Sequence, residues 1–354
     1  MQRPRPRLRT LAAIAAAPVA LIAAFAWAGG WIGPKRVGGA DIADALQFNA
    51  GPHPGYRRAH AKGLCFTGRF EASGAGQALS RAAVFAPGVY PVVGRFSTGG
   101  GNPLATDGRN VFHAIGLQIT APDGEIWRMA MDHTPIFPVA TPEAFIELQR
   151  ATRPDPATGK PDPAVMKAYL ARHPETKAYQ DYLAKAPLPD SFANGTYYSI
   201  DAFRFTDRAG ATRTVRWSFA PQTPLQALDK SKLAQLPTDY LFDEIRTRLA
   251  HRPARWTMRV AVAAPGDVTN NATIAWPADR RTVDAGVLVI DQTQPEETGA
   301  CRDITFDPTI LPGGVALSDD PLLAARAAAY SSSFRRRATE TPGPSAVGQS
   351  LGAR

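Results

Sequence analysis

The amino-acid sequence predicts an α+β fold, an antiparallel β-barrel core with flanking helices. Three observations carry that expectation. Prolines and glycines are numerous, 32 and 30 among 354 residues, which argues against an all-helical bundle. Short segments rich in Val, Phe and Tyr recur along the chain with turn residues between them. Several alternate apolar and polar side chains, as in Tyr198, Ile200 and Ala202 followed by Phe203 and Phe205, the pattern of an antiparallel sheet with one buried face. A 44% apolar content is enough for one large core.

In chain order, Arg3, Arg5, Arg7 and Arg9 precede an uncharged run from Leu11 to Ala28. A basic segment ahead of a membrane-length apolar stretch reads as a signal peptide or an N-terminal membrane anchor over residues 1–33. Ala26-Trp27-Ala28 before Gly29 suits cleavage, whereas the length of the run suits an uncleaved anchor. Either way the expected location is the periplasm, secreted or held at the inner membrane.

The body is expected over residues 34–338. A short helix is predicted at Ala40 to Leu46. Strands follow at Leu64 to Phe70, Val92 to Ser97, Ala114 to Thr120, Tyr197 to Phe205, Thr212 to Phe219, Trp256 to Ala263 and Gly286 to Ile290. Asp107-Gly108 and Asp123-Gly124 mark turns. Helical patterns appear at Pro142 to Arg150, Pro163 to Arg172, Ser231 to Ala250 and Asp319 to Arg335. From Thr339 onward Pro, Gly, Ser and Ala dominate, so residues 339–354 read as a flexible tail.

The chain is basic, with 40 Lys and Arg against 31 Asp and Glu, but the excess is scattered, the pattern of a solvated surface with no nucleic-acid partner. Two cysteines, Cys65 and Cys301, cannot form a CxxC metal knuckle; whether they pair stays open. The six histidines show no HExxH or i,i+4 pairing, so a zinc site is not expected.

The last helix has the strongest start signal: Ser318, Asp319 and Asp320 ahead of Pro321 supply a cap, acidic residues at the positive end and a proline in the first turn. Arg326 and Tyr330 stand four apart and Arg337 seven further, on one stripe, with Ala327 to Ala329 leaving room beside the phenol. A guanidinium beside a phenol favours the phenolate, a ligand for ferric haem; an ordinary core tyrosine satisfies the same spacing. Upstream, His60 lies among Arg57, Arg58 and Lys62, cations that oppose its protonation and favour a proton-accepting imidazole. Read alone, a lone histidine there is more often a surface or satisfied core residue.

Taken together, the residues resemble the catalase family, in the same order over most of residues 50–337. His60-Ala61-Lys62-Gly63 is similar to the distal-histidine motif and Arg95-Phe96-Ser97-Thr98 to the next landmark. Thr134-Pro135-Ile136-Phe137 and Phe145 follow at the family's spacing. Asp307-Pro308-Thr309, Leu311-Pro312-Gly313 and Asp319-Asp320-Pro321 lead into Arg326-x-x-x-Tyr330, which resembles the proximal helix. The resemblance implies haem b with ferric iron and Tyr330 as its ligand. It also implies Arg326 supporting the phenolate, Phe145 against the ring, Arg57, Arg95 and Arg337 at the propionates, and a catalytic set of His60, Asp132 and Ser97.

The chain departs from the family in three places. It is short, so it looks like the catalase-related peroxidases that lack the C-terminal helical domain, and NADPH is not expected. Asp132 stands where the distal asparagine would be, and Phe334 where the proximal helix usually has a histidine. An acid in place of a neutral amide disfavours dismutation more than peroxidation of a second donor. The expected reaction is therefore reduction of hydrogen peroxide or an organic hydroperoxide by a small organic electron donor, with weak or absent catalase activity. A haem-binding carrier at the membrane and a hydroperoxide-converting isomerase are the alternatives, and a homo-oligomer is compatible with each.

Overall fold

The computed structural model describes residues 8–28, 32, 37–109 and 112–348. They fall into two compact units, Met1–Gly38 and Gly39–Arg354. The first contains helix α1 (Leu8–Ala28), with Pro18 inside it. Among the described residues no helix is long and apolar enough to cross a membrane. Arg3, Arg5 and Arg7, most of the expected linker and residues 349–354 of the expected tail lie outside the described residues.

The second unit opens with α2 (Gly39–Ala50), then β1 (Gly63–Ala72), β2 (Gly88–Thr98), β3 (His113–Thr120) and β4 (Ile126–Asp132). Three helices come next, α3 (Pro142–Ala151), α4 (Pro163–Arg172) and α5 (Pro174–Lys185). The chain continues through β5 (Tyr197–Tyr198), β6 (Phe203–Thr206), β7 (Thr212–Pro221), α6 (Tyr240–His251), β8 (Ala254–Val262), β9 (Thr282–Gln294), β10 (Val315–Leu317) and α7 (Pro321–Ala338).

All pairings are antiparallel. The order β7-β5-β4-β3-β2-β1-β9-β8 closes because β8 also pairs with β7, giving an eight-strand barrel, with β6 added along β7 and β10 along β6. Closure gives each of those eight strands a neighbour on both sides, although β4 meets β5 only at Asp132 and Tyr198. Phe66, Phe96, Trp127, Trp217 and Trp256 fill the interior. The period of two therefore sends the intervening residues of β2, β3 and β4 to the outer face, where the functional cavity lies.

Three sequence expectations change. The strand expected over Tyr197 to Phe205 is two strands, because Ile200 has φ +63° and turns the chain, with the Asp201 amide donating to the Ser199 carbonyl at 2.7 Å. The helix expected over Ser231 to Ala250 is a short 3₁₀ turn, Lys230–Gln235, followed by α6, since Pro237 breaks the hydrogen-bond ladder between them. Residues 339–348 are not a free tail. Glu340 pairs with Arg58, the Gly348 amide donates to Asp239 at 2.8 Å, and Val347 is buried in the core. Composition missed this because the segment is held by ion pairs and backbone donors, with only two buried apolar residues, Ala346 and Val347.

Candidate haem site

The outer face of the sheet presents two rows of side chains. Arg95 of β2 stands beside Gly116 of β3 and Ala130 of β4, and Ser97 beside Ala114 and Asp132. Glycine and alanine in the middle make a flat floor. A Cβ at Gly116 would come within 2.7 Å of the Phe306 ring, so only glycine lets that ring lie down there. A Cβ at Gly63 would meet the Arg95 guanidinium at 2.1 Å, so this glycine frees the path along which Arg95 crosses the strand.

Over this floor is a cavity of about 430 Å³, walled by α2, the loop before β1, α3 and α7. α7 starts as its sequence requires, with Asp320 accepting from the Leu322 amide at 3.0 Å and Pro321 in the first turn. It approaches α2 closely, since a Cβ at Gly39 would fall 2.1 Å from the Ala328 carbonyl oxygen. Arg326, Tyr330 and Arg337 all line the cavity, as their common stripe predicts. The small residues beside the phenol are Ala325 and Ala329; Ala328 serves the α2 contact instead.

Arg326 is held by an ion pair with buried Asp201 and donates to the Ala130 carbonyl at 2.9 Å. The other Asp201 oxygen has no partner among the described residues. Burial pushes the Tyr330 phenol above its ordinary pKa, an effect that Arg326 only partly offsets. Arg326 thus favours the phenolate as expected, but removal from water is the larger influence and opposes it.

On the barrel side His60 precedes β1 with φ +54°, one of two non-glycine residues with positive φ among those described; the other, Ile200, also lines the cavity. Its Nδ1 is 3.3 Å from the Ser97 hydroxyl, and its carbonyl accepts from Arg95 at 2.7 Å. Desolvation, then the fields of Arg95 and Arg326, lower the imidazole to about 4, so it is neutral at physiological pH. Lys62 of the same motif points away, buried between Asp107 and Asp239 at 2.7 and 2.6 Å. Asp132 closes the Ser97 row. Burial raises its carboxyl to about 7 against the opposing pull of Arg326. Phe145, on α3, lines the same cavity and stacks on Phe137 with ring centroids 6.2 Å apart.

The structure brings all nine predicted site residues to one cavity: His60, Ser97, Asp132, Arg57, Arg95, Phe145, Arg326, Arg337 and Tyr330. Sequence reasoning missed Glu296. Its carboxylate accepts from Arg95 Nε and Nη2 at 2.8 and 2.7 Å and from Arg57 Nε at 3.2 Å. Burial would raise its pKa, but Arg95 and Arg57 outweigh that and hold it below the usual carboxylate range. Arg57 also donates to the carbonyls of Cys301, Arg302 and Ile304. Two of the three arginines expected at the propionates are therefore already largely engaged, and the three with Glu296 carry a net charge of +2. Asp201 was missed as well. No local pattern marks either acid, because Glu296 is 201 residues from Arg95 and Asp201 is 125 from Arg326.

An apolar cavity with a glycine-alanine floor, a phenol backed by a guanidinium, a neutral imidazole and a +2 arginine cluster at one edge suits a flat, iron-bearing dianion such as haem. This constellation on an eight-strand barrel defines a candidate haem site. The chain belongs to the catalase family: residues 44–342 match the family model described as Catalase. It is 38% identical over 296 residues to the catalase-related peroxidase of Synechococcus elongatus, covering 84% of this chain and 87% of that one. It is 32% identical to the catalase-related peroxidase of Mycolicibacterium paratuberculosis, covering 83% and 93%. The pig catalase match, at 24% identity, covers 79% of this chain but 56% of the longer protein. A fungal catalase crystal structure shares the fold with a TM-score of 0.72 at 20% identity, over 86% of this chain and 64% of that one.

Proposed function

We propose that the protein is a haem-dependent peroxidase that reduces hydrogen peroxide or an organic hydroperoxide with a small organic electron donor, and that its catalase activity is weak. The carrying observation is that the family's motifs, scattered over residues 57–337, meet in one cavity with a neutral His60 and a Tyr330 backed by Arg326. The names of the two short relatives support the same reading. Ferric haem b held there by Tyr330 would supply the centre that takes up the peroxide's oxidising equivalents.

The chain's own residues supply the rest. His60, neutral and steadied by Ser97, accepts a proton from one peroxide oxygen and returns it to the other. Phe145 and Phe137 keep one wall apolar, and Arg326 balances charge on the Tyr330 oxygen. Asp132 titrates near neutrality, so above that pH it presents a negative charge beside the peroxide, which supports one-way reduction over dismutation. The N-terminal sequence and the Cys65–Cys301 disulfide, Cα atoms 5.4 Å apart, support a periplasmic location, where disulfides persist.

The test is reconstitution of the full chain with haem. A tyrosinate-ligated high-spin ferric spectrum and peroxide turnover with an aromatic donor are expected, both lost in Tyr330→Phe. Unchanged spectrum and turnover in that variant would refute the assignment.

A further inference from the structure

A second cavity, of about 330 Å³, lies against the first, and Arg57, Phe334 and Arg337 line both. Its outer wall is the segment Pro342–Ser345, which composition alone reads as tail. We propose that this cavity is the electron-donor site and that it takes a neutral one-ring phenol or aromatic amine. The proposal rests on the peroxidase reading above.

Three features give the ligand class. The volume is at the lower end of the roughly 300–1,000 Å³ typical of small-molecule sites, so it suits a single ring. Phe334, 38% exposed despite its size, offers an aromatic face on the partition, with the Arg337 guanidinium 5.6 Å from its centroid. The charges are nearly all spent: Arg57 pairs with Glu296, Arg302 with Asp303, and Glu340 with Arg58. Among the described residues that leaves the Glu297 carboxylate and the Arg337 guanidinium without an ion-pair partner. With Arg337 shared with the haem cavity, the second cavity offers an anion no surplus of positive charge, but it offers a phenolic O–H an acceptor in Glu297.

The position suits the role, because one layer of side chains separates a ring in the second cavity from the first. Two phenols each give up one electron across the partition and one proton to Glu297 and then solvent. With hydrogen peroxide the balance is H2O2 + 2 ArOH giving 2 H2O + 2 ArO•. Phe334 stands where the proximal helix of longer relatives was expected to carry histidine, and here that position forms the partition between the cavities.

The experiment uses the haem-loaded full chain, hydrogen peroxide and hydroquinone, with Ala338→Trp to fill the cavity from the end of α7 and Glu297→Lys to remove the acceptor. The double variant should keep the wild-type haem spectrum and single-turnover rate with peroxide, and lose at least about tenfold in kcat/KM for hydroquinone. Equilibrium dialysis of hydroquinone against the resting protein should show the same loss. Unchanged hydroquinone kcat/KM and binding in the double variant overturns the site. A wild-type protein that reacts with peroxide but oxidises no hydroquinone overturns the donor class alone. One that does not react with peroxide overturns the peroxidase reading and this inference together.

Discussion

Replacing Cys65 and Cys301 by alanine tests how the distant loop supports the site. Cys65 is on β1 and Cys301 in the loop after β9, 236 positions apart in sequence, and both are fully buried beside Phe306. For a closed loop of that length the chain-entropy estimate is about 5.5 kcal/mol, at the upper limit of the effects measured for disulfides. At roughly 2.1 cal/mol/K of unfolding entropy per residue, a loss of about 2–5 kcal/mol lowers the melting temperature of a body this size by roughly 3–8 °C. Calorimetry of the oxidised protein, the reduced protein and the double variant measures this. A second consequence follows from Arg57, whose Nη2 donates to the carbonyls of Cys301 and Arg302, each at 3.1 Å. A loosened loop should release haem faster to an excess of an acceptor apoprotein. A double variant that melts within about 1 °C of wild type and holds haem equally long would refute the reasoning.

Other outcomes follow from the buried charges. Asp132, raised to about 7 when folded, holds a proton that the unfolded chain has already lost, so stability falls as pH rises from about 4 to 7. Asp132→Asn should flatten that fall in denaturant midpoints taken across the window, and should raise oxygen release from peroxide about tenfold at pH 8. His60 behaves oppositely: lowered to about 4, it contributes a stability rise between about 4 and 6.5, and peroxide reactivity should decline only below that window. His60→Ala should slow the stopped-flow reaction with peroxide by about 10²–10⁴ while haem binding persists. Arg326→Leu strands the Asp201 carboxylate in the core and should cost about 3–5 kcal/mol in chemical denaturation, most of it recovered by adding Asp201→Leu.

The sheet and the last helix were legible because each rests on a local rule. Alternation in β1, β2, β3, β7 and β8 sets which residues face inward, and Asp320-Pro321 sets where α7 begins. The site residues were legible as types and order, not as a constellation. Their meeting depends on strand register, and nothing near Ser97 in the sequence says that it will neighbour Ala114 and then Asp132. Glu296, Asp201 and the closing segment 339–348 act across more than a hundred residues through ion pairs or backbone donors, which leave no periodic trace. Of the cations beside His60 in sequence only Arg57 opposes its charge; Arg95 and Arg326, brought in by the fold, do so more strongly, and burial is the largest cause.

The two strained residues, His60 and Ile200, both line the cavity on the outer face of the barrel. A histidine at φ +54° and a β-branched isoleucine at φ +63° each cost about 1–3 kcal/mol, and such backbones persist only where the surroundings over-determine them. Within the barrel wall the irregularities are register shifts between Thr67 and Gly68 and between Met258 and Arg259, and none of these residues has a positive φ. The outer face of β2 to β4 is rigid from beneath yet open above, so the loop carrying His60 can be fixed by Arg95 and Ser97 without disturbing the ladder. The same logic applies to Ile200, whose turn ends β5 after two residues and brings Asp201 to Arg326. Replacing Ile200 by glycine removes the strain and also the buried side chain against Leu322, so the two effects on stability oppose each other. What the variant should lose is the fixed position of Asp201, visible as a broadened tyrosinate signature in the haem-loaded protein. An unchanged signature would mean that Arg326 holds its place without this turn.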